Sequence, residues 1–272
     1  MSYSKNYLFL RAKDNRKRLT NNFFNKNIIA DSDEKIAIFM AGSPWAWKTE
    51  FINRLLTKEQ QSAYYILDLD IIRKWMPWYK WNYAEKYTKW AIKILEMMFD
   101  KCVSKKYNFI LDWTFTNTEV INKNITRLVE KWYKIEIFYI HTQPYLAWRY
   151  TLLRWSDDKR RIPFKEFIKY YHLAKDNIYL AIKNFENKIN VNLVHKFRDD
   201  KWNIILDENI YNPKTIDEIN DIFDKYISFH YNLWKWGIEE KLFFYITKII
   251  SLIPIIWKLI LRKLAMLKEI EK

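Results

Sequence analysis

Lys48 and Thr49 stand side by side in the run Ala41-Gly42-Ser43-Pro44-Trp45-Ala46-Trp47-Lys48-Thr49-Glu50. Residues 36–40 before it are a hydrophobic run that reads as a buried strand. Phe51, Ile52, Leu55 and Leu56 after it follow a helical pattern. Strand, loop, Lys-Thr, helix is the layout of a phosphate-binding loop, G-x-x-x-x-G-K-[ST]. In such a loop Lys48 bridges the β- and γ-phosphates and the Thr49 hydroxyl ligates Mg²⁺. The helix N-terminus adds its partial positive charge. One position departs from the pattern: Trp47 stands where the second glycine belongs. Glycine is used there because backbone N–H groups must fold around the anion, with positive φ and no side chain in the way. Taken literally, Trp45 and Trp47 crowd the anion nest and remove nucleotide binding.

The composition points to a different reading. The chain of 272 residues has 14 Trp and only 2 Gly. Average usage would give roughly 19 glycines, and the two counts together come to 16. Many Trp positions are therefore read as UGA codons that the source organism translates as glycine, as some bacterial lineages do. UGG codons at Trp45, Trp47 and Trp113 would end that reading. The rival is a degenerate pseudo-enzyme with a tryptophan-filled loop.

Further acids and bases cluster at strand ends. Asp70 follows the second strand, on the rim where open α/β sheets bind ligands, and a carboxylate there can take a proton from an attacking hydroxyl. Asp68 is the alternative base, or a helix cap, or a partner of Arg73. Asp112 ends the third strand; it can hold the Mg²⁺ water shell, contact substrate, or form a turn. Arg154 and Arg160, with Arg161 as fallback, lie in a cationic helix-turn-helix that could neutralise charge on a transferred phosphoryl group or form a solvated basic face. His141 and His172 have no Cys or His at metal spacing and are assigned core or surface roles. Phe109 and Tyr139 are read as core.

These residues need a scaffold. Strands are expected at 63–69, 107–111, 135–140, 191–195 and 202–206. Helices are expected at 84–104, 118–131, 145–155, 164–187 and 213–228. The alternation and the apolar strands predict a P-loop NTPase-like α/β fold, a parallel sheet with helices on both faces. The organisation expected is an N-terminal helical extension at 1–35, a kinase domain at 36–230 and a C-terminal apolar and basic helical segment at 231–272. Within the last, residues 242–261 are apolar but interrupted by Lys248, Pro254 and Lys258. A membrane span, a membrane-surface helix through 242–263 and packing on protein are all open for it. The single cysteine, Cys102, excludes an intrachain disulfide and suits a cytoplasmic setting. The net charge of +15 is read mainly as compositional bias, since no nucleic-acid-binding motif is present.

With suspect Trp read as Gly, the chain resembles the zeta-toxin family of P-loop kinases over residues 30–210. The resemblance rests on the loop at 41–50, the D-x-D-x-x-R run at 68–73, and Pro77-Trp78-Tyr79. It continues through the D-G-T-F-like run at 112–115, Pro144 with Ala147 and Trp148, Arg154, and the R-x-I-P-like run at 160–163. Trp148 falls where the family tolerates a true Trp, so a UGG codon is expected there. The resemblance implies ATP- or GTP-dependent, Mg²⁺-assisted phosphorylation of a sugar hydroxyl, with UDP-N-acetylglucosamine as the acceptor of well-known members. It implies phosphate binding by Lys48, Asp70 as base, Arg154 and Arg160 on the γ-phosphate, and Glu96 as a substrate-binding acid. Asp112 and Thr114 join the substrate positions, and an antitoxin protein is an implied partner. A nucleotide-binding or membrane-docked interaction module without turnover is the alternative from another class.

Overall fold

The computed structural model describes residues 5–26, 34–43, 48–76, 84–142, 147–148, 150–152, 162–198, 204–215 and 217–222. Expectations placed on Pro44, Trp45, Ala46, Trp47, residues 77–81, Arg154, Arg160, Arg161 and 231–272 lie outside these residues. The chain divides into two compact units. One comprises Met1–Ala41, Trp47–Trp113 and Thr118–Ile137; the other comprises Gly42–Ala46, Thr114–Asn117 and Phe138–Lys272.

The first unit contains α1 (Lys5–Lys26), most of β1 (Ile36–Gly42), α2 (Lys48–Leu55), α3 (Lys58–Gln61), β2 (Tyr65–Asp68), α4 (Leu69–Lys74), α5 (Ala84–Lys105), β3 (Phe109–Asp112), α6 (Thr118–Glu130) and the start of β4 (Lys134–Thr142). The second contains the rest of β4, α7 (Phe164–Phe185), β5 (Asn190–Arg198) and β6 (Ile204–Tyr211). The strand order is β2-β3-β1-β4-β5-β6. β1 therefore has β3 on one side and β4 on the other, which is the topological switch point beside which open α/β sheets hold ligands.

β1 is buried on both faces, as a strand covered by helices must be. Its register with β3 pairs Ala37 with Phe109 and Met40 with Asp112; β2 pairs Tyr65 with Phe109 and Asp68 with Asp112, all in parallel. Asn108 sets this register. Its Oδ1 accepts from the Ile36 N–H at 2.8 Å, and its carbonyl accepts from the Tyr65 N–H at 2.9 Å. On α6, Ile121, Ile125 and Leu128 recur at helical spacing and are buried. Phe23 and Phe24 of α1 pack with Tyr65 and Tyr107, and Phe23 also meets Trp75. Cys102 is buried on α5, and burial raises its thiol pKa, as befits an inert structural cysteine.

The sheet differs from the expected all-parallel one at its last strand. β6 runs antiparallel to β5. Only residues 199–203 separate them, and a parallel return needs a crossover of about a dozen residues or more.

The end of α6 bears on the tryptophan count. The Trp132 N–H donates to the Val129 carbonyl at 3.1 Å, and the Tyr133 N–H to the Leu128 carbonyl at 3.1 Å. This is a Schellman closure with its left-handed C′ residue. That residue is Trp132, with φ 61 and a side chain 89% exposed. Trp148 is the opposite case: it is 3% exposed and its ring meets Phe164 and Phe167 at 5.0 and 5.2 Å.

Candidate active site

β1 ends on Gly42, which is buried and has φ 144, a conformation glycine reaches without penalty. Ser43 follows, also buried. Lys48 is the first residue of α2 and half-buried. Thr49 and Glu50 occupy the same first turn, and their side chains lie outside the described ones. So the glycine that opens the loop and the Lys-Thr that closes it stand at a strand end and a helix start, as the motif requires.

The acids of the first unit come together because β2 and β3 stop in register. Asp68 and Asp112 are direct neighbours on adjacent parallel strands. Asp68 is also the N-cap of α4: its backbone is extended, and its Oδ1 accepts the Asp70 N–H at 2.7 Å. Burial first, and then the Asp112 charge, push the Asp68 carboxyl up to about 6; the Asp70 N–H and Arg73 pull the other way. Of its sequence-level alternatives, the cap is the one its geometry fills.

Asp70 sits in the first turn of α4 with its side chain 25% exposed. Arg73 Nη1 donates to Asp70 Oδ1 at 2.5 Å. The guanidinium is 4% exposed, and its Nη2 donates to Thr88 Oγ1 of α5 at 3.2 Å. Arg73 thus pairs with Asp70, whereas the sequence had offered it to Asp68. Glu96 is exposed, two turns further along α5 and about 12 Å from Thr88 by helix rise; it does not join this cluster.

In the second unit, Thr114 is half-buried and its Oγ1 lies 3.1 Å from Thr116 Oγ1. Phe115 beside it is fully buried with φ 59, a conformation that costs a bulky residue of order 1–3 kcal/mol. Asn177 of α7, itself buried, donates Nδ2 to the Phe115 carbonyl at 3.0 Å. The D-G-T-F-like turn is therefore held by a side chain some sixty residues later in the chain.

Known proteins resemble the stretch of chain that holds these residues. The family model described as Zeta toxin matches residues 21–189, more than half of the chain. The chain belongs to the zeta toxin family. Among curated proteins it is similar to Toxin PezT of Streptococcus pneumoniae, 32% identical over 133 residues, covering 46% of this chain and 52% of the relative. The chain thus spans about half the length of that relative. Among solved structures, a PezAT toxin–antitoxin structure from Streptococcus pneumoniae aligns over 78% of this chain and 82% of its own, with TM-score 0.51 and 23% identity. The AvrRxo1-ORF1:-ORF2 complex with ATP aligns over 81% and 70%, with TM-score 0.52 and 11% identity. At these identities the structural likeness establishes the zeta-toxin fold, a P-loop kinase-like α/β sheet.

Sequence reasoning treated His141 as solitary, and the zeta-toxin fold gives it partners. His141 Nδ1 lies 2.8 Å from His195 Nδ1 on β5, with the rings stacked at 4.9 Å. Tyr171 Oη lies 3.2 Å from His141 Nε2. Only strand pairing brings residues this far apart in sequence into contact, so no local spacing could have signalled it. His172 is exposed, as one of its two assigned roles allowed. Phe109 and Tyr139 are buried as expected. Among the described residues, no three His, Cys, Asp or Glu side chains form a metal-binding group, and no helix is long and apolar enough to cross a membrane.

Proposed function

We propose that the chain is a kinase that transfers the γ-phosphoryl group of ATP or GTP to a sugar hydroxyl, with a nucleotide sugar of the UDP-N-acetylglucosamine type as acceptor. The observation that carries this reading is Asp70, a partly exposed carboxylate gripped by a buried arginine. It sits on the turn that follows the carboxyl end of β2, in the same unit as Lys48 at the start of α2. The substrate hydroxyl attacks phosphorus in line, forming a P–O bond as the bond to the bridging oxygen breaks and the nucleoside diphosphate leaves. The hydroxyl proton passes to Asp70. Lys48 binds the phosphates and stabilises charge on the transferred group, with Arg154 and Arg160 proposed to act on the same charge.

Mg²⁺ fits the donor set. Asp112 offers a half-buried carboxylate beside Asp68, and Thr49 offers a hydroxyl. Mg²⁺ binds through one or two such oxygens plus phosphates and water. When bound, it supplies neutralisation of the nucleotide phosphates. The solved relatives, a toxin–antitoxin system and a two-protein complex, support an antitoxin-type protein as the partner of this chain.

The same reading requires a live phosphate loop, with glycine at 45 and 47 in the natural protein. The exposed, left-handed Trp132 supports glycine recoding, since its C′ position favours glycine. The packed Trp148 agrees with a true tryptophan there. Codon sequence, or peptide mass spectrometry of the native protein, tests this directly: UGG at 45 and 47 overturns it. For the activity, the full chain carrying those glycines is incubated with γ-labelled ATP and UDP-N-acetylglucosamine. Label should appear on the sugar nucleotide and vanish in Lys48→Ala and Asp70→Ala. Wild-type turnover in either variant would remove the assigned role.

A further inference from the structure

We infer that Arg73 is a positioning residue for this transfer, fixing the Asp70 carboxylate with one guanidinium nitrogen while Thr88 of α5 fixes the other. The inference rests on the reading of Asp70 as the base and adds two residues to it.

Several observations converge on Arg73. It is 4% exposed, and burying a guanidinium is costly unless its donors are met. The chain accepts that cost on α4, a helix of only six residues. So short a helix makes few backbone bonds of its own and does little to orient a side chain on its first turn. The two terminal nitrogens of Arg73 end on different elements: Nη1 on Asp70 at 2.5 Å and Nη2 on Thr88 at 3.2 Å. A planar fork held at two points cannot pivot, so the carboxylate on one tine takes its orientation from α5 through the other. A base must hold its geometry within roughly half an ångström to work. Asp68 completes the arrangement from the backbone side, since its cap bond fixes the Asp70 N–H. Asp70 is thus held at its amide by Asp68 and at its carboxylate by Arg73.

The alternative is that the pair only stabilises α4. Three substitutions in the full chain with glycines at 45 and 47 separate these roles by turnover, KM and pH profile. Arg73→Met removes charge and fork together. It should lower kcat by about tenfold or more with KM for ATP little changed, and move the acid limb of the kcat profile to higher pH. The direction follows because losing a neighbouring cation makes a carboxylate harder to ionise. Arg73→Lys keeps the charge but loses the second anchor, so it should restore the acid limb while leaving kcat depressed. Thr88→Val removes only the anchoring hydroxyl at nearly constant shape; kcat per folded molecule should fall several-fold with the acid limb unchanged, beside a modest loss of stability from the lost hydrogen bond. Should Arg73→Met not fold, Thr88→Val and Arg73→Lys carry the test. Wild-type kcat in Thr88→Val and Arg73→Lys, with Asp70→Ala inactive, overturns the inference and leaves the base assignment standing. Full turnover in Asp70→Ala instead overturns the base assignment itself.

Discussion

Two polar clusters in this chain are built from similar parts and differ in kind. In the first unit, Asp68, Asp70, Asp112, Arg73 and Thr88 gather where β2 and β3 stop. In the second, His141, His195 and Tyr171 meet along β4, β5 and α7. The first mixes opposite charges and keeps Asp70 a quarter exposed. The second places His195 at 1% exposure, and a single proton bridges the two Nδ1 atoms in one tautomer or the other. Burial, followed by the neighbouring Tyr171, holds the Tyr139 phenol beside it well above its ordinary range. A strand end leaves a carboxylate near solvent, where a substrate can reach it. His195, midway along β5, is closed to solvent with its Nδ1 against His141, while His141 itself, next to the last residue of β4, is half-buried. Polar character alone does not mark a site; a partly exposed carboxylate paired with a buried cation sets the first cluster apart from the second.

This contrast can be broken by substitution. The largest effect is expected at Asp70: replacement by Ala should cost about 10²- to 10⁴-fold in phosphoryl transfer while nucleotide affinity changes little, as measured by steady-state kinetics and calorimetric titration. His195→Leu should behave in the opposite sense. It leaves His141 Nδ1 without its partner and should destabilise the fold by about 1–3 kcal/mol, seen in urea unfolding, with turnover per folded molecule unchanged. A large loss of turnover there would erase the distinction between the clusters.

Smaller effects sharpen it. The Asp68 carboxyl, raised to about 6 in the folded protein from an ordinary 3.8, binds a proton between those values that the unfolded chain has released. Stability therefore falls as pH rises through that window. Asp68→Asn keeps the helix cap, removes this dependence, and should gain about 1–2 kcal/mol at pH 7 after allowance for partial exposure. Melting curves at pH 4 and pH 7 would show it, and an unchanged slope in the variant would count against the Asp68–Asp112 coupling. Least of all, in protein carrying Trp at 132, Trp132→Gly should stabilise by about 1 kcal/mol. Lys106 closes α5 with the same left-handed turn at φ 55, so Lys106→Gly is the matched control.

Much of the fold was legible because its signals are local. Apolar runs bounded by polar turns gave the strands, and 3.6-residue spacing gave α5, α6 and α7. The phosphate loop was legible as Gly42, Lys48 and Thr49 even with its second glycine under another letter. The direction of β6 was misjudged because apolar runs carry no orientation; the short connection from β5 decides it. The roles of Asp68 and Arg73 stayed open because the 68–73 stretch permits several pairings, and only the path of α4 against α5 selects among them. Asn177 escaped notice altogether, since one amide on a helical stripe resembles any tolerated polar residue until Phe115 is placed beside it.

By itself, then, the sequence determined the strand–loop–helix that opens with Gly42, the acids at strand ends, and the family to which the chain belongs, because the first two are written within a few consecutive residues and the third in the order of such short runs along the chain. Tertiary structure alone decided that Asp68 faces Asp112, that Arg73 ties Asp70 to Thr88, and that His141 meets His195. Those contacts join elements whose register and packing are fixed by the burial of whole faces, and no short stretch of sequence contains both halves of such a contact.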